Sequence, residues 1–242
     1  MRIVTNEKLI RRNAKVGQIV GLISLLILGG GMYVSLTHPE YGMVTLSALV
    51  FGFLLSQIGL FFGNRWARRP RLDELLNQAL KGLSREYTLY HYTTPVYHLL
   101  VGPAGLWVLV TKYQRGRITY SKGRWRQHGG PLLWYLRLFA QEGIGRPDLE
   151  IKAETQAIAK LLREKLPGED LPPVEALLVF THPQVELQAD NAPVPTLHLR
   201  DLKKFLKPRL KSRRITPEQL QRIRAVLEGP GEESLAQEET SG

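Results

Sequence analysis

The chain has 242 residues, no cysteine and a formal net charge of +11. That length admits one or two domains with a real hydrophobic core, and the missing cysteine excludes disulfides, thiol catalysis and thiolate metal sites. The excess of Lys and Arg points to anionic partners: lipid headgroups, nucleic acid or phosphorylated ligands.

Apolar residues concentrate before residue 64. Residues 1–15 carry Arg2, Lys8, Arg11, Arg12 and Lys15 and read as a basic cytoplasmic tail. Residues 16–36 (VGQIVGLISLLILGGGMYVSL) and 43–62 (MVTLSALVFGFLLSQIGLFF) contain no charged side chain. At about 1.5 Å rise per residue, each spans roughly 30 Å, the thickness of a bilayer's hydrocarbon core. Two such stretches in succession predict a transmembrane helical hairpin over residues 16–66. A cleaved signal peptide fits the first stretch poorly, because it is long and no small-x-small pattern follows it. The connection THPEYG has no Lys or Arg, whereas Arg65, Arg68, Arg69 and Arg71 follow the second span. The positive-inside rule then predicts a multi-pass protein of the cell membrane with both termini cytoplasmic. Tyr41 and Trp66 fall where interfacial aromatics are expected. Gly17 and Gly21 form a small-xxx-small pair and Gly29, Gly30 and Gly31 a run; close packing, within the hairpin or against a protein partner, and simple flexibility both account for them. Neither span holds an ionisable residue, so the hairpin reads as an anchor rather than a transport path.

Residues 67–228 read as a cytoplasmic domain. Leu72, Leu75, Leu76, Ala79, Leu80 and Leu83 recur at helical spacing, with Asp73 and Glu74 in the first turn, where the helix dipole favours acids. Strands are predicted over 87–93, 97–101 and 106–110; the last is apolar throughout, as in a strand buried on both faces. Gly102-Pro103-Ala104-Gly105 is a turn signal rather than a phosphate cradle. A hairpin is predicted over 116–120 and 123–127, around Ser121 and Lys122. Residues 131–145 are ambiguous, with an apolar cluster at Leu132, Leu133, Trp134 and Leu136. A helix capped by Asp148 or a neighbour runs to about Leu166, then strands over 174–180 and 196–199, a basic helix opening at Asp201 and a last helix starting at Thr216-Pro217-Glu218. Residues 229–242 are polar and acidic, the composition of a disordered tail. This order predicts an α/β (α+β) domain around a mixed sheet.

Between His98 and Lys112 the sequence HLLVGPAGLWVLVTK resembles the NERD family, the nuclease-related domain. Such domains show a strand ending in Asp-His, a Gly turn, then an apolar strand ending in Glu-x-Lys, a Gly and a Trp. His98, Gly102, Gly105, Lys112, Gly116 and Trp125 fall in register, as do Gln156 in the helix KAETQAIAKLL and the strand EALLVF. The resemblance covers residues 72–206. It implies a mixed-sheet, restriction-endonuclease-like fold related to PD-(D/E)xK nucleases, following the two-helix transmembrane hairpin. In that fold two carboxylates hold a divalent metal that activates water, and the Lys assists. Here Tyr97 occupies the family's Asp position and Thr111 is read at the Glu position, leaving His98 and Lys112. No Asp or Glu lies between Glu86 and Glu142, and hard cations need oxygen ligands, chiefly carboxylates. The resemblance therefore implies a degenerate site (Tyr97, His98, Thr111, Lys112, Gln156), no metal and no cofactor: a pseudoenzyme. The alternative is a magnesium-dependent nuclease whose acids have moved to Glu74 and Glu154.

Two basic clusters carry the remaining chemistry. Lys112, Arg115, Arg117, Lys122, Arg124 and Arg126 interleave with Tyr113, Tyr120 and Trp125, a pattern suited to phosphate backbones and stacked bases; a solvated hairpin with cation–π pairs is the plainer alternative. Arg200 to Arg214 forms a second run, read as a phosphate or anionic-lipid surface or as an exposed helix face. His38, His91, His128, His182 and His198 show no ligand spacing and read as isolated histidines. The expected partners are thus the bilayer and DNA, RNA or anionic lipid; a scaffold that meets only lipid headgroups or proteins is the third reading.

Overall fold

The computed structural model describes residues 1–129 and 143–229. They fall into two units: residues 7–72, and residues 1–6 with 73–129 and 143–229. The cluster at Leu132, Leu133, Trp134 and Leu136 and the tail beyond Gly229 lie outside the described residues.

In the first unit, α1 (Glu7–Thr37) and α2 (Gly42–Phe62) are joined by a short 3-10 turn, Pro39–Tyr41, and α2 continues into a π-helical turn, Gly63–Ala67. The buried positions of α1 are Ile10, Gly17, Ser24 and Gly31, and those of α2 are Gly52 and Gly59. They recur every seven residues, the repeat that keeps one seam of two helices together. Glycine is what lets the backbones approach. A Cβ on Gly59 would stand 3.0 Å from the Gly21 backbone, and one on Gly31 would stand 2.7 Å from the Ala48 Cβ. Close packing, not flexibility, accounts for Gly17, Gly31 and Gly59, whereas a Cβ on Gly21, Gly29 or Gly30 would meet open space. Outside the seam the apolar side chains are uncovered: Leu25, Leu26, Met32, Met43 and Phe51 are all exposed. Of the two aromatics at the expected interfacial positions, Trp66 is buried and Tyr41 is exposed.

The second unit is built on a six-stranded mixed sheet. Its strands are β1 (Arg2–Thr5), β2 (Thr88–His91), β3 (His98–Gly102), β4 (Gly105–Lys112), β7 (Val174–Phe180) and β9 (Thr196–His198), in that spatial order. β1 lies parallel to β2, β2–β3–β4 form an antiparallel meander, and β4, β7 and β9 are parallel. β1 corrects the sequence reading. The segment expected as a free basic tail is an edge strand, with Arg2 opposite Thr88 and Thr5 opposite His91.

Helices cover both faces, giving three layers. On one face, Leu99, Val101, Leu106, Val108 and Val110 pack with Ile151, Ile158 and Leu162 of α4 (Pro147–Lys165) and with Leu220, Ile223 and Leu227 of α6 (Pro217–Glu228). On the other, Leu89, Leu100, Trp107 and Leu109 pack with Leu76 and Leu80, at and just beyond α3 (Leu72–Ala79), and with Leu202 and Leu206 of α5 (Leu199–Arg209). The burial of β4 from Gly105 to Val110 explains its unbroken apolar run. Gly102 is required by close approach, since a Cβ there would meet the Tyr87 ring at 2.2 Å. Thr216 caps α6 through its hydroxyl, as its sequence predicts; α4 has Arg146 at its cap position and no side-chain cap, with Asp148 in the first turn instead.

A smaller three-stranded sheet follows, ordered β6 (Arg124–His128), β5 (Gly116–Ser121), β8 (Val185–Gln188). The β5–β6 turn is Lys122-Gly123, both with positive φ (51° and 71°). This is the two-residue turn whose twist matches a hairpin, with Gly at its second position.

Candidate functional site

The family's Lys position, Lys112, ends β4. Strand alternation puts it on the side of Val108 and Val110, beneath α4. Its ammonium donates to both carboxylate oxygens of Glu150, each at 2.7 Å. The Lys112 side chain is 12% exposed and Glu150 44%. The acid beside the Lys is therefore Glu150, from the first turn of α4, and neither of the acids predicted from sequence. Glu74 sits on α3 and Glu154 on α4, helices that cover opposite faces of the sheet.

The other predicted site residues are divided in the same way. Thr111 falls on the side of Trp107 and Leu109; the residue two before Lys112, on its own face, is the buried Val110. Val110 rather than Thr111 thus occupies the place of the Glu in a Glu-x-Lys strand. Tyr97, just before β3, is exposed and meets Tyr92 edge-on at 6.1 Å. His98 points to the other face, with Leu100. Gln156 is exposed on α4, beside Thr155, Arg163 and Pro172.

Histidines expected to be isolated are paired. His91 and His98 are fully buried, with their Nδ1 atoms 2.8 Å apart, and His91 Nε2 lies 3.0 Å from the Asn77 carbonyl oxygen. With Nε2–H given to Asn77, neutral His91 accepts at Nδ1 and His98 donates. His198 caps α5 by accepting the Arg200 N–H at Nδ1 and donates from Nε2 to the His182 carbonyl. His182 in turn accepts from the Gln184 N–H and meets Tyr113 edge-on. Burial first, then the nearby Arg115 and His198, hold the His182 pKa below its usual value, so the ring is neutral at pH 7.

A divalent metal does not fit this donor set. Among the described residues no three His, Asp or Glu side chains gather in a group able to hold one. Val110 and Tyr97 hold the positions where the family resemblance expects carboxylates, and both carboxylate oxygens of Glu150 accept from Lys112.

The basic segment sorts by strand register. Tyr120 and Trp125 are cross-strand partners 4.9 Å apart, on the inner side with Ile118, and Trp125 packs towards Phe180. Trp125 is therefore part of the packing beneath the sheet and not a base-stacking platform. Arg117, Thr119 and Ser121 of β5 and Arg124, Arg126 and His128 of β6 face outward, with Glu186 and Gln188 of β8 beside them. Glu186 pairs with Arg117 at 3.4 Å, both exposed. Lys122, Arg124 and Arg126 have no acidic partner among the described residues. In the second basic run, Arg209 lies over Phe205, Arg213 pairs with Glu86 and Arg214 with Glu175, so these three cations have partners within the domain.

The second unit is thus a mixed-sheet domain covered by helices on both faces, with Lys112 at the end of its central strand β4. The family model described as NERD, nuclease-related domain, matches residues 63–181, so this part of the chain belongs to that family. No curated protein and no solved structure matches the chain.

Proposed function

We propose that the protein is a membrane-anchored, cytoplasm-facing nuclease-related domain that no longer supports metal-dependent cleavage and instead binds nucleic acid or another polyanion. The observation that carries the binding is the outward face of β5 and β6, where Lys122, Arg124 and Arg126 stand exposed with no acidic partner among the described residues. Arg115, beside His182, adds a further cation. Lys112, expected among the main contacts, is neutralised by Glu150 and contributes little to that field.

Two facts support the anchor. Only 11% of the most apolar window of each long helix is buried, too little for the core helix of a water-soluble fold, and large uncovered apolar surfaces mark lipid or partner contact. The strand before the hairpin and the domain after it also share one sheet, as a two-span hairpin that returns the chain to its starting side requires. The Lys and Arg distribution makes that side the cytoplasm.

The test uses the full chain in discs of neutral lipid, mixed with labelled DNA, RNA and heparin. Saturable binding that weakens as salt rises is expected. Binding of none of them at 50 mM salt sinks the polyanion reading, and cleavage that requires magnesium or manganese sinks the degenerate one. Because the chain has no native cysteine, Glu40→Cys and Gln188→Cys can be probed with an impermeant maleimide. Labelling of the first from outside and of the second only after lysis is expected; the reverse refutes the topology.

A further inference from the structure

We infer that the outward face of β5 and β6 takes double-helical nucleic acid by its phosphate backbone, and does not take single strands. This rests on the polyanion reading above and says which form of ligand the face fits.

Sequence-tolerant recognition of a single strand combines cations with aromatic side chains on which bases stack. The sequence has both in alternation, but alternation in a strand means opposite sides. With Ser121 opposite Arg124 and Tyr120 opposite Trp125, the register sends every arginine of the pair outward and both aromatic rings inward. The tight turn at Lys122-Gly123 fixes that register, and a slip of one residue would expose the rings and bury the arginines. The outward face then offers Arg124 and Arg126, Arg117 in its exposed pair with Glu186, the hydroxyls of Thr119 and Ser121 and the His128 ring, with no aromatic platform.

Such a face suits a ligand whose bases are already stacked within it and whose outside is phosphate and sugar. A duplex also presents one charge per about 1.7 Å of axis against about 3.4 Å along either of its strands, so a rigid patch meets more phosphates. A lipid surface is the weaker fit, because interfacial binding draws on exposed aromatic or apolar side chains, and this face presents none.

The charge count sets a magnitude. Three cations without acidic partners, or four with Arg117 released from its exposed pair, give a log–log salt slope of about −2.7 to −3.6 on a duplex. Affinity should then fall roughly 40- to 150-fold between 50 and 200 mM salt.

The experiment measures anisotropy of a labelled 24-base-pair duplex and of its separate strands, with the full chain in phosphatidylcholine discs. Tighter duplex binding, at least about tenfold, is expected. In the Arg124→Gln/Arg126→Gln variant the duplex slope should become shallower by about two units. Both residues are exposed, and an unchanged circular-dichroism spectrum and melting temperature establish that the variant is folded. Equal or tighter binding of single strands overturns the inference and leaves the polyanion reading in place. Binding of neither form overturns both. An unchanged slope in the folded double variant overturns the assignment to this face. Capture of phosphatidylserine vesicles by the wild type and not by the variant, with no duplex binding, assigns the face to a lipid surface and overturns the inference.

Discussion

The ion pair between Lys112 and Glu150 allows a sharp prediction, because its two partners are unequally buried. Two unit charges 4 Å apart attract by about 4 kcal/mol at an effective dielectric constant of 20. Glu150 keeps nearly half of its side chain in water, so solvent screening and the desolvation of Lys112 reduce the coupling to about 1–2 kcal/mol. The single substitutions should differ. Glu150→Gln leaves a mostly buried ammonium without its counter-charge and should cost about 2 kcal/mol. Lys112→Met leaves a carboxylate that can hydrate, and the Met stem keeps the packing, so it should cost about 1 kcal/mol or less. For a domain of this size 1 kcal/mol corresponds to about 2–4 °C in melting temperature. Thermal melts of the full chain in one detergent, with the double variant completing the cycle, measure all three quantities. If Lys112→Met costs more than Glu150→Gln, or if the coupling falls below about 0.5 kcal/mol, the account of this site is wrong.

Other expectations follow from the same structure. Gly59→Leu should disrupt the α1–α2 seam, where even a Cβ would press on the Gly21 backbone; a loss of about 1–3 kcal/mol or more is expected, and unchanged detergent stability would refute close packing. Tyr90 donates to Glu228, which also pairs with Arg2 of β1. Burial first, then that acid, raise the Tyr90 pKa above its usual 10, so its contribution is complete below pH 10 and is lost as pH rises further. Tyr90→Phe should therefore cost about 1 kcal/mol at pH 8 and flatten the alkaline decline; an unaltered pH profile above 10 contradicts this. His182 runs the other way: its pKa is lowered from 6.5, so the unfolded chain binds the proton first and stability falls as pH drops below 6.5. Titration of His182 by NMR checks the direction, and a folded value at or above 6.5 would contradict it. Removing residues 1–5 should lower the melting temperature, because they form β1; a truncated chain as stable as the full one would refute that.

Much of the fold is legible where a strong local period exists. The two uncharged spans, the apolar run of β4 and the capped start of α6 announce themselves. β1 does not: RIVT is four residues long, half of it exposed, and its partner Thr88 is 86 positions away across the whole hairpin. A strand made by so distant a pairing leaves no local signal, and its arginine reads as tail charge. β8 is equally short.

The site was legible as a list of residues but not as an arrangement. Reading Lys112 to Arg126 as one interleaved patch overlooks that a period of two sends Arg124 and Trp125 to opposite sides, a fact available from sequence alone. The same rule, counted back from Lys112, selects Val110 over Thr111. Glu150 could not be found that way. It reaches Lys112 across 38 residues, and only the docking of α4 on β4 decides which of its acids arrives.

Manganese titration followed by electron paramagnetic resonance, on the full chain and on Glu150→Gln, tests the central claim most directly. The account predicts no saturable site beside Lys112 in the wild type at millimolar manganese. Tight binding of one manganese ion, lost when Glu150 is neutralised, would contradict it and restore a working metal centre to this fold.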